Sequence, residues 1–137
     1  MDLVFTLVMS FASRNVNRPH RISLNSQWKI DGRLDPNDPS QLEISSVRTF
    51  HRPSGVSIKQ IIRFCFEPAS TDIHFSINDI QQPLSIRKGL ATVPITGMME
   101  SFNRVELRWR GAPLEKPQLP EHFAAWIEIS DDSPLDL

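Results

Sequence analysis

The side chains in this sequence with ligand, acid–base or nucleophile chemistry are few and scattered. There are four histidines, His20, His51, His74 and His122, and one cysteine, Cys65. No histidine pair has the HxH or HExxH spacing that would place two imidazoles on one metal, and a single cysteine excludes a thiolate zinc cluster or an internal disulfide. Cys65 sits between Phe64 and Phe66 in an alternating apolar run, which predicts a buried packing residue and not a nucleophile. No serine lies in a GxSxG elbow, and no glycine-rich loop follows a strand to cradle a phosphate. Asp35 with Asp38, and Asp131 with Asp132, fall in loop or tail, where carboxylates cap turns more readily than they flank a scissile bond. These residues predict no catalytic site, no metal and no cofactor.

Two small groups remain as candidates for ligand binding. Trp126 is the aromatic that strand parity places on a wet face, and Glu128 follows it on the same side; an indole beside a carboxylate suits a sugar ring and its hydroxyls. Arg48, His51 and Arg52 form the second group, able to hold an acid or sugar hydroxyls at a sheet rim. The absence of tyrosine counts against a surface rich in stacking platforms.

The elements that must position these residues are strands. Ile58–Asn78 reads as an alternating pair joined by Glu67-Pro68-Ala69-Ser70. Ile58, Ile62, Phe64 and Phe66 share one face of the first member, and its apolar character predicts a central place in a sheet. Ile73, Phe75 and Ile77 share one face of the second. Further strands are expected over Arg21–Leu24, Gln27–Asp31, Leu42–Ile44, Ser46–Arg52, Leu84–Ile86, Gly89–Ile95, Phe102–Arg110 and Phe123–Ser130. In the last two, Val105, Leu107 and Trp109, and Phe123, Ala125, Ile127 and Ile129, point inward. Trp28 and Ile30 share a buried face. Asn78–Pro83 is expected as a polar turn, and Thr96 as the N-cap of a single helical turn.

The chain has 137 residues, with 15 basic and 16 acidic side chains and no long single-sign run. That length suits one domain able to bury roughly two-thirds of its unfolded surface. The charge balance argues against nucleic-acid binding. Eleven prolines, five glycines and many short alternating runs predict an all-β antiparallel sandwich of about eight to ten short strands, not a helical bundle. The opening segment Leu3–Phe11 is apolar on both faces and far short of the ~20 residues needed to cross a bilayer. It reads as a strand, buried or paired with a second copy, which favours a cytoplasmic chain without membrane contact. A secretory signal is the alternative, although Asp2 has the wrong sign for one. A proline-rich connector spans residues 111–121, the final strand 123–130, and an acidic tail 131–137.

Three stretches together resemble the N-terminal sugar-binding domain of family 2 glycoside hydrolases, the β-galactosidase and β-glucuronidase group. They are Ser23-Leu24-Asn25-Ser26-Gln27-Trp28; the strand pair with Ile77-Asn78-Asp79; and Val93–Met99 with Asn103-Arg104-Val105-Glu106-Leu107. Ser26 stands where that family has glycine, and Pro94 where it has aspartate. The likeness spans about residues 22–110 and implies a galactose-binding-like jelly roll without catalytic residues, since those hydrolases carry their acids in a separate barrel. The expectation is therefore a stand-alone, non-catalytic binding module with a carbohydrate partner. The alternative is a protein-interaction domain, assembling as a homodimer through Leu3–Phe11.

Overall fold

A computed structural model describes residues 19–70, 72–111, 118–120 and 123–131. The expected strand 3–11, most of the expected connector 111–121 (residues 112–117 and 121) and all but Asp131 of the expected tail 131–137 lie outside the described residues. Ten strands are present among those described: β1 (His20–Ser23), β2 (Lys29–Asp35), β3 (Asp38–His51), β4 (Gln60–Phe66), β5 (His74–Ile77), β6 (Ile80–Gln82), β7 (Ser85–Arg87), β8 (Leu90–Pro94), β9 (Phe102–Gly111) and β10 (Ala125–Asp131). They form two five-stranded sheets, ordered β1-β10-β4-β8-β7 and β2-β3-β9-β5-β6, and every pairing is antiparallel. The expected all-β sandwich is what the chain builds. With β2 and β7 set aside, the eight other strands run β1-β10-β4-β8 and β3-β9-β5-β6. Chain order carries them back and forth between the sheets in a way compatible with a jelly roll.

Alternation sets which side chains form the layer between the sheets. Ile62, Phe64 and Phe66 of β4, Phe75 and Ile77 of β5, Val105 and Leu107 of β9, and Ala125 and Ile127 of β10 are almost wholly buried. The parities expected for β5, β9 and β10 hold, and β4 occupies the middle of its sheet as its apolar character predicts. Phe75 meets Phe64 and Phe66 at ring-centroid distances of 5.2 and 6.2 Å. Trp28 packs edge-on to Phe64 and Phe123, and its indole N–H donates to the Leu24 carbonyl at 2.7 Å.

Several local expectations need correction. β4 and β5 are not hairpin partners: they belong to opposite sheets, and the chain between them arches across the sandwich. Each carries one apolar face, and alternation reads the same whether two such strands pair side by side or stack face to face. Ile58 lies outside β4 and is 95% exposed. The two short strands expected over 42–44 and 46–52 are one strand, β3, through Ser45 and a core-facing, fully buried Ser46. Thr96 does not cap the 3-10 turn Thr96–Met98, whose N-cap position is Ile95. Its hydroxyl instead accepts the Ile62 N–H at 2.9 Å and donates to the Ile62 carbonyl at 3.3 Å. Beside Pro94, which has no N–H to give, that hydroxyl prolongs the β4–β8 contact.

The polar turn after β5 is tighter than expected. Asn78 and Asp79 both have positive φ, as a two-residue hairpin turn of matching twist requires, and Lys88-Gly89 repeats the device between β7 and β8. Asn78 Oδ1 accepts the Arg104 N–H at 2.9 Å, and its amide donates to the Met98 carbonyl and to Asn103 Oδ1, each at 3.1 Å. Fully buried Asn103 also accepts from the Glu100 N–H and donates to the Glu100 carbonyl, at 2.8 and 2.9 Å. Replacing Asn103 by Ala strands these backbone groups without partners, at a cost of about 2–4 kcal/mol in urea unfolding. Asp79→Asn keeps a residue that tolerates the positive φ, loses only an exposed ion pair and should cost under about 1 kcal/mol. Equal losses for the two variants would contradict this reading of the clasp.

Candidate functional site

The outward residues of the second sheet form a trough along β3. Alternation turns Leu42, Ile44, Ser46 and Phe50 inward, leaving Glu43, Ser45, Val47 and Thr49 outside. Ser45, Val47 and Thr49 are short, whereas the neighbouring strands present long charged side chains: Lys29, Asp31 and Arg33 on β2, and Arg104, Glu106 and Arg108 on β9. The result is a groove of about 670 Å³ with a low floor and charged walls. Its walls stand on strands roughly 10 Å apart, two inter-strand spacings.

Register fixes which charges face one another. Lys29 and Glu106 flank Val47; Asp31 and Arg108 flank Ser45; Arg33 and Arg110 flank Glu43. Opposite signs thus confront each other across the first two rows. Ser45 Oγ donates to Glu106 Oε2 at 2.5 Å. Arg104 lies 3.3 Å from Asp79 and 3.9 Å from Glu106. Among the described residues, Lys29, Asp31, Arg33 and Glu43 have no ion-pair partner within 4 Å. The polar face continues over β9 into a smaller depression of about 280 Å³ lined by Asp72, His74 and Gln81.

The five residues singled out from sequence are divided between the sheets. Trp126 and Glu128 lie on the outer face of the first sheet, on β10. The Arg21 guanidinium sits 4.9 Å from the centroid of the Trp126 ring, and Glu128 is held between Arg21 at 3.7 Å and Arg63 at 4.0 Å. The Trp126 indole nitrogen is buried without a hydrogen-bond partner among the described residues. Arg48, His51 and Arg52 lie at the far end of β3 in the other sheet. Arg48 has inward parity, but its side chain reaches the rim, where Nε donates to the Ser26 carbonyl at 2.6 Å and Nη1 to the Thr49 carbonyl. Exposed His51 rests on Phe102, with ring centroids 5.0 Å apart. Arg52 is exposed, and its backbone N–H bonds the Ser101 carbonyl.

Sequence reasoning missed the trough and one aromatic. Phe102, at the start of β9, shares the outward parity of Arg104 and is 52% exposed. Parity along β9 carries that signal. The trough itself has none within any single strand, because it requires β2, β3 and β9 side by side. Comparison of the sequence with protein-family models and with curated proteins yields no match, so the likeness to the family 2 hydrolases rests on its motif residues alone.

Cys65 faces outward opposite Trp126, yet it is only 2% exposed. Burial, and then the Glu128 charge, push its thiol above the ordinary range. The unfolded thiol therefore ionises first as pH rises. The associated stability is complete below the unfolded pKa and disappears as pH climbs through the folded one. Iodoacetamide at pH 8 should alkylate the folded protein more slowly than the urea-unfolded chain by about a hundredfold or more, because reaction waits on local opening. Equal rates would mean that the thiol is open to solvent.

Proposed function

We propose that this chain is a non-catalytic binding module that takes a carbohydrate chain along the β3 trough. The observation that carries this is the floor of Ser45, Val47 and Thr49 between walls of alternating sign. A sugar hydroxyl both donates and accepts. Carboxylates such as Asp31 suit the donor side of a diol, and guanidinium groups such as Arg108 suit the acceptor side, with bonds strengthened by the charge. A narrow trough following one strand fits an extended chain better than a compact small molecule. The likeness of residues 22–110 to a sugar-binding jelly roll supports the same reading. Binding is preferred to turnover because the sequence has no nucleophile elbow, phosphate loop or zinc signature.

A second reading, assembly with another protein or with a second copy, is favoured by exposed apolar side chains on edge strands of the second sheet, Leu34 of β2 and Ile80 of β6.

A glycan array probed with the wild-type protein, Arg108→Ala and Trp126→Ala distinguishes the possibilities. The trough predicts retention of one class of glycan, a loss of about tenfold or more for Arg108→Ala, and little change for Trp126→Ala. Loss in Trp126→Ala alone would move the site to the first sheet. A protein that ignores every glycan but sediments as a dimer would favour assembly.

A further inference from the structure

On the carbohydrate reading above, we infer that the trough selects a neutral glycan and that its His51–Phe102 end is a stacking subsite for one sugar ring. Four cations, Lys29, Arg33, Arg104 and Arg108, line the trough together with three carboxylates, Asp31, Glu43 and Glu106. Register places Glu106 across from Lys29 and Asp31 across from Arg108. A uronic-acid or sulfated chain lying on β3 meets a carboxylate facing each of those two cations, so what attracts it on one wall repels it from the other. Neutral hydroxyls bond to both walls and carry no such penalty.

The trough's lining also has no aromatic ring along its length, its apolar side chains being Val47 on the floor and Ile30 on β2. Phe102 supplies one at the end. It pairs with His51 in the row beyond Thr49 and Arg104, on the same outward face and about 7 Å along β9 from Arg104. It is the one large exposed aromatic among the described residues, and contact with His51 on one side holds its ring. A pyranose placed there covers the phenyl ring with its C–H face while its hydroxyls point toward Thr49 and the Arg104–Asp79 pair. Stacking at the end and polar bonding along the floor give affinity that rises with chain length until both parts are occupied.

The test is calorimetric titration with cello-, manno- and galacto-oligosaccharides from disaccharide to hexasaccharide, beside hexamers of glucuronate and galacturonate, with saturation-transfer NMR on the tightest binder. A neutral hexasaccharide should bind at least about tenfold more tightly than the acidic hexamers. Phe102→Ala should weaken it about tenfold while Phe102→Trp retains it, and one ring should show saturation concentrated on its C–H protons. Tighter binding of an acidic hexamer overturns the inference. So does unchanged affinity in Phe102→Ala while Arg108→Ala loses binding, an outcome that leaves the trough itself standing. If no saccharide of either kind binds, the carbohydrate reading falls and takes this inference with it.

Discussion

The contact on which this molecule depends is the packing of Phe75 from one sheet against Phe64 and Phe66 from the other. All three rings are fully removed from water, and they come from strands at or near the middle of their sheets. Burying an aromatic side chain contributes on the order of 2–3 kcal/mol, and removing one from such a site costs more because a cavity remains. The inward residues of both sheets are committed to this layer. The outward residues are left to meet solvent or a ligand, so the fold and the candidate site draw on alternate positions of the same strands.

A second constraint acts where strands end and the ladder can no longer satisfy the backbone. Asparagine side chains take over there. Asn25 Oδ1 accepts the Ala125 N–H at 2.8 Å, beside the bond from the Leu24 N–H to the Ala125 carbonyl. Asn78 and Asn103 do the same at the turn after β5 and the entry to β9. All three lie in the stretches that resemble the sugar-binding domain of the family 2 hydrolases. In this chain those asparagines bond backbone groups, so the motif residues speak for how a sandwich is closed off and less for what lies on its surface.

That division explains what could be read from the residues alone. Side-chain parity is local, and it located Val105, Leu107 and Trp109 inside and Arg104, Glu106 and Arg108 outside. Neighbour relations are not local. Phe64 and Phe75 read as a hairpin because two amphipathic strands look alike whether they share hydrogen bonds or a core. Ser45 read as an interruption because its place in an unbroken ladder depends on β2 and β9, far away in the chain. The trough was invisible for the same reason: Lys29 and Glu106 face each other only because β3 lies between them. Phe102 was legible by parity and was overlooked at the margin of its strand.

The low floor along β3 gives one position unusual leverage. Val47 lies midway between Ser45 and Thr49, and its side chain is the bulkiest of the three. A tryptophan in its place would dam the channel and split one long berth into two short ones, without displacing anything packed between the sheets. On the carbohydrate reading proposed above, the number of units the trough can take is thus governed by a single codon. Relatives of this chain could trade long guests for short ones while the scaffold beneath stayed as it is.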